Sequence, residues 1–152
     1  MSTTEPTTNA TATSPAPIED LKLEAVVIPV VDVDRAKAFY ADRCGFNVDV
    51  DHAVGDDFRV VQLTPKGSAC SISIGKGLAK MEPGTLQGLQ LCVTDIDAAR
   101  AELAERGVEI TPVRFIENGE WKDGHGGPWN SFAFFSDPDG NGWAVQEKPT
   151  PS

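Results

Sequence analysis

The sequence predicts an α+β fold in which one βαβββ module is used twice. Three observations carry this expectation. The run VIPVVDVDRAKAFYADRCGF from Val27 is echoed by LQLCVTDIDAARAELAERGV from Leu89; each is a β-rich stretch, a D-x-D step, a helical pattern and an Arg ahead of a Gly. Asp32 and Asp95, like Asp34 and Asp97, stand 63 residues apart. TPKGSACSISI from Thr64 matches DPDGNGWAVQE from Asp137, with Pro65 and Pro138, and Gly67 and Gly140, 73 apart.

Each element has a local reason. Asp32 or Asp34, and Asp95 or Asp97, can accept the free N–H groups at a helix start. The helices then run through Ala36, Phe39 and Tyr40 in the first copy and through Ala98, Ala101 and Leu103 in the second, with Gly45 and Gly107 at their ends. Phe58 to Leu63, Cys70 to Ile74, Phe132 to Phe135 and Trp143 to Val145 read as strands, joined by P-K-G and P-D-G turns. The offset grows from 63 to 73, so the second copy has about ten extra residues. They fall in ENGEWKDGHGGPWN, which reads as a mobile Gly-rich loop carrying Trp121, His125 and Trp129.

Residues 1–20 contain no aromatic residue and are dominated by Ser, Thr, Ala and Pro, the composition of a disordered tail. The folded region is expected over 21–148, with modules at about 21–80 and 84–148 and a short tail at 149–152. Of the net charge of −10, the first tail contributes −3 through Glu5, Glu19 and Asp20. The 13 Lys and Arg residues form no run, which argues against nucleic acid or anionic membrane as a partner. No apolar stretch reaches the length of a membrane span, and the first residues lack the pattern of a secretion signal. Cys44, Cys70 and Cys92 have no C-x-x-C spacing and read as buried small apolar residues in a reducing cytoplasm.

A doubled βαβββ module with D-x-D-x-A-x-x-F-Y, a D-P-D-G-N turn and an aromatic-aliphatic last strand resembles the vicinal oxygen chelate superfamily, which holds glyoxalase I, bleomycin-resistance proteins, extradiol dioxygenases and epimerases. The resemblance covers roughly residues 21–148. It implies a cup-shaped, incompletely closed mixed sheet with helices outside, often paired across a homodimer. In metal-using members it further implies a divalent ion held by a His on the first strand and a Glu on the last strand of a module. Placed against the motifs here, those positions are Ala25, Ser71, Gly88 and Ala144, none of which supplies a good metal ligand. The expectation is therefore no metal and no cofactor.

Strand parity predicts the cup lining. From Ser71 the cup face continues to Ser73, from Gly88 to Gln90 and Cys92, and from Ala144 to Gln146. Phe58, Val60 and Gln62 are placed there because Val61 and Leu63 make the better helix-facing pair, which leaves Arg59 awkwardly on the helix side. The expected ligand-binding set is Phe58, Gln62, Ser71, Ser73, Gln90 and Gln146, with Trp121 and Trp129 as a lid. His52 and His125 read as loop surface, and Asp137, Asp139 and Asn141 as a turn rather than a cation loop.

Such a cup favours a small neutral or cationic organic molecule, aromatic ligands included. Two other functions remain open on the sequence: an enzyme of lyase, isomerase, epimerase or dioxygenase type with displaced ligands or metal-free chemistry, and a non-catalytic, partner-binding dimer.

Overall fold

The computed structural model describes residues 18–150. The expectation of disorder over 1–17 lies outside the described residues, as does the end of the 149–152 tail. Residues 18–24 are exposed and lack regular secondary structure.

The first module runs β1 (Ala25–Val27), α1 (Val33–Ala38), β2 (Asn47–Val54), β3 (Phe58–Thr64) and β4 (Ser71–Lys76). The second runs β5 (Leu89–Val93), α2 (Ile96–Glu105), β6 (Arg114–Glu117), β7 (Glu120–Asp123), β8 (Phe132–Ser136) and β9 (Gly142–Glu147). They build two mixed sheets, ordered β1-β4-β3-β2 and β5-β9-β8-β6-β7. In both, the first strand runs parallel to the last, as a strand–helix crossover requires, and the other pairs are antiparallel. Neither sheet closes into a barrel.

The repeated aspartates do what their spacing predicts. Asp32 accepts from the Arg35 N–H at 3.0 Å and Asp95 from the Ala98 N–H at 3.1 Å, so each satisfies a free donor of its helix. α1 passes into one wide π-type turn over Phe39–Arg43, which turns both Phe39 and Tyr40 inward. These rings join Phe46 and the second module's Phe135 and Trp143 in a single core that also holds Val61, Leu63, Ile72, Ile74 and Val145. The helix-side faces of the two sheets thus share one core, and each sheet keeps an opposite, open face.

A buried polar network locks the modules together. The Tyr40 hydroxyl donates to Asp137 at 2.7 Å and accepts from the Trp143 indole at 3.0 Å. The other Asp137 oxygen accepts the N–H groups of Asp139 and Asn141, and the Asn141 amide reaches the Pro29 carbonyl at 2.8 Å. D-P-D-G-N is therefore a turn that grips the first module: both Asp137 oxygens and the Asn141 oxygen accept hydrogen bonds, and Asp139 meets Arg35 and the Val31 N–H through one oxygen while its other is buried with no partner among the described residues. Burial first, and the Asp137 charge second, push the Tyr40 phenol far above its ordinary pKa.

Two expectations change. The ten extra residues are not simply a loop: Asn118-Gly119, with φ of 52° and 79°, forms the tight turn of a hairpin, so Glu120–Asp123 adds a fifth strand beyond β6. Arg59 is not awkward on the helix side, since it grips the Asp51 carboxylate with two N–H groups at 2.9 and 3.0 Å and Asp34 with a third at 2.8 Å. With Lys37, Arg59 holds Asp51 well below the usual carboxylate range.

Candidate functional site

Pairing fixes which side chains share the open faces, because directly opposed residues point the same way. On the first sheet, Ala25 lies opposite Ser71, and Gln62 opposite both Ser73 and Val50. Phe58 and Val60 have the same parity as Gln62, while Val61 and Leu63 are buried on the other side. His52 pairs with Val60, so it stands on a strand of this face and not on a loop, as the sequence suggested. A register shift between Val48 and Val50 inserts Asp49 as a bulge residue. Its carboxylate accepts from the Thr64 hydroxyl, whose oxygen lies 2.6 Å from that of Ser71.

On the second sheet, Gln90 lies opposite Ala144, and Gln146 is opposed by Cys92 on one side and Phe132 on the other. Leu89, Leu91, Trp143 and Val145 face the core. The Gln90 amide donates to Gln146 at 2.5 Å, and the Gln146 amide donates to the Trp129 carbonyl at 2.7 Å. Cys92, expected to be buried, is exposed because β5 is an edge strand and Cys92 sits on its open side. Cys44 is half-buried; its surroundings, and secondarily Asp137, push its thiol up to about 12.

The aromatic content of this face exceeds what the sequence suggested. Phe132 and Phe134 are parallel with centroids 6.1 Å apart, and Trp121 from β7 stands edge-on to both at 5.5 and 5.4 Å. Beside them opens a cavity of about 650 Å³ lined by Gln87, Gly88, Thr111, Phe134, Gly142 and Ala144 among others. Gly88 and Ala144 help keep the space open, since a Cβ at Gly88 would meet nothing within 4 Å, whereas the Gln87 side chain lies over Gly142.

Hydrogen bonds hold the end of the segment after β7 at Asn130. The Asn130 side chain donates to the Ile116 carbonyl at 2.9 Å and accepts its N–H at 3.0 Å, replacing a strand partner. His125 meets Asp97 at 2.8 Å, at the start of α2 and away from the open face's aromatic cluster. Trp129 is 51% exposed at φ 62°, a backbone region that side-chain-bearing residues seldom adopt.

Comparison with known proteins places this architecture. The family model described as Glyoxalase/Bleomycin resistance protein/Dioxygenase superfamily matches residues 22–145. The chain belongs to this superfamily. It is similar to the crystal structure of TnmS3, an antibiotic binding protein from Streptomyces sp. CB03234, with 32% identity, a TM-score of 0.70, and coverage of 87% of this chain and 99% of that one. A glyoxalase/bleomycin resistance protein from the same organism is 34% identical at a TM-score of 0.65, covering 82% and 99% of the two chains. Among curated proteins, the uncharacterized YetH of Bacillus subtilis (strain 168) is 25% identical over 127 residues, 83% of this chain and 98% of that protein.

Membership raises the question of whether these residues suit the divalent ion of the superfamily's metal-using members. Gly142 donates to the Leu86 carbonyl, yet the regular ladder begins at Leu89 opposite Trp143, so β5 carries one extra residue there. Gly88, at φ 85°, absorbs it. The ladder places Gln90 rather than Gly88 beside Ala144, two residues on from the position inferred from the 63-residue offset. Ala25, Ser71, Ala144 and either Gly88 or Gln90 supply no imidazole or carboxylate. Among the described residues no group of three or more His, Cys, Asp or Glu side chains is placed to hold an ion. The donor set does not fit the metal.

Proposed function

We propose that this protein binds a planar organic molecule, without a metal, against the aromatic open face of its second sheet. The observation that carries the reading is the Trp121–Phe132–Phe134 cluster beside a cavity of about 650 Å³ floored by Gly88, Gly142 and Ala144. Ligand sites are commonly concave and largely apolar, with a few polar groups that orient the occupant. Gln90, held in place by Gln146, supplies such a group here, and Gln87 lines the cavity. The similarity to an antibiotic binding protein at 32% identity supports the same reading.

The neutral residues Gln62, Ser71 and Ser73 lie on the other sheet's open face, with Phe58 at its rim. A homodimer that sets one protomer's first sheet over its partner's second sheet brings both predicted groups around one ligand. A second reading, metal-free acid–base catalysis, is favoured by one observation: His52 and Asp49 are titratable groups on that first face. We place the protein in the cytoplasm because it carries three unpaired cysteines.

The test is a tryptophan-fluorescence titration with a panel of planar polycyclic molecules in EDTA. Saturable binding is expected, and Phe134→Ala should weaken it about fivefold, the worth of one aromatic contact at about 1 kcal/mol. Binding that EDTA abolishes, or that ignores Phe134→Ala, refutes the reading. Sedimentation at the monomer mass across micromolar concentrations refutes the shared cup.

A further inference from the structure

We infer that the ligand is recognised as a hydrogen-bond donor and that the Gln90 Oε1 atom is the acceptor that selects it; this rests on the ligand-binding reading above. Amide orientation is ordinarily ambiguous, but here the chain of contacts fixes it. The Trp129 backbone carbonyl can only accept, so the Gln146 group 2.7 Å away is its N–H₂. The Gln146 oxygen is then the atom facing Gln90, so Gln90 contributes its own N–H₂ at 2.5 Å. Gln90 is left with its oxygen turned to the open face, and no group of the described residues donates to it.

The first sheet shows the same polarity. The Asp49 carboxylate can only accept, so Thr64 gives it its hydroxyl proton. The Thr64 oxygen therefore receives the proton of Ser71 across 2.6 Å, which leaves Ser71 as an acceptor. Two independent relays thus begin on a group that cannot donate, and of their two ends Ser71 is buried while Gln90 is exposed.

The anchor of the Gln90 relay is itself unusual. Asn130 closes a turn onto the Gly127 carbonyl at 3.1 Å, with Pro128 and Trp129 as its central residues. The third position of such a turn, with positive φ, normally holds Gly. A tryptophan is held there with its carbonyl turned to Gln146. Strain of this kind persists where the surroundings over-determine it, and it concentrates at functional sites. The complementary occupant carries a phenol, amide N–H or amine; an ether or a bare carbonyl at that point meets oxygen against oxygen.

The experiment uses 7-hydroxyflavone and 7-methoxyflavone, equally planar and differing in one donor, titrated by calorimetry into the wild-type protein, Gln90→Met and Gln146→Leu. The wild-type protein should prefer the hydroxyl compound about fivefold, the usual worth of one hydrogen bond. Gln90→Met should erase that preference. Gln146→Leu should reduce it by freeing the Gln90 amide to rotate, which marks Gln146 as a positioning residue. Equal affinities for the two compounds in the wild type, or a preference that survives in Gln90→Met, overturn the inference and leave the binding reading standing. Failure of both compounds to bind the wild-type protein counts against the binding reading and takes this inference with it.

Discussion

The buried Tyr40 hydroxyl offers the sharpest test of how the two modules are held together. Tyr40→Phe keeps the ring contacts with Phe39, Phe46 and Trp143 and removes one oxygen. That oxygen serves two partners, donating to Asp137 at 2.7 Å and accepting from the Trp143 indole at 3.0 Å, both in the core. A hydrogen bond to a charged group contributes roughly 1.5–3 kcal/mol, and a buried donor left without a partner costs roughly 1–3 kcal/mol. The two effects overlap, so the expected loss is about 3 kcal/mol, a fall in Tm of about 10 °C for a domain of this size. The pH dependence supplies a second readout. The folded phenol's pKa is raised, so stability from this group is fully present below about pH 10 and is lost above it, as only the unfolded chain releases the proton. The lost stability is about 1.4 kcal/mol per pH unit. Tyr40 is the one tyrosine of the chain, so tyrosinate absorbance reports it alone. Thermal and urea melts monitored by circular dichroism, with absorbance between pH 9 and 12, measure both effects. A loss under about 1 kcal/mol, or tyrosinate absorbance rising near pH 10 in the folded protein, refutes the argument.

Gly75→Ala should destabilise by about 3 kcal/mol or more, because an added Cβ would lie 1.8 Å from the Arg59 carbonyl and force β3 from β4; a soluble variant with unchanged Tm contradicts this. Timed labelling with a thiol reagent, read by mass spectrometry, should modify exposed Cys92 first and Cys44 last, since the Cys44 thiol is pushed up to about 12; early loss of Cys44 would be the contrary result. Trp129→Gly should raise stability by about 1 kcal/mol through relief of its backbone strain while weakening ligand binding, and a lowered Tm would show that the indole packs instead.

Much of the fold was legible because its decisive features are local. An aspartate at each helix start, a turn residue before each last strand and constant spacings between copies identify a doubled module. The strands following each helix were only partly marked. β2 is exposed along its whole length, so its side chains show no clean alternation of core and solvent. β7 was missed because the Gly-rich composition around it masked Asn118-Gly119, a hairpin signal readable in the sequence itself. Arg59 read as a misfit because its two carboxylate partners come from α1 and β2, and neighbours across elements leave no trace in local periodicity.

The site was legible by face and illegible by register. Parity alone placed Gln62, Ser73, Gln90 and Gln146 in groups that the ladders bring together on the two open faces, since parity survives any even slip. The offset argument failed at Gly88: the ladder sets Gln90, two residues on, beside Ala144 and puts the end of a hydrogen-bond relay at that position. Phe132 and Phe134 were passed over for the same reason: in F-A-F-F either set could face the core, and only the pairing of Phe134 with Ala144 decides it. Small residues at Gly88 and Ala144 cannot hold an ion, yet both line the space beside Phe134.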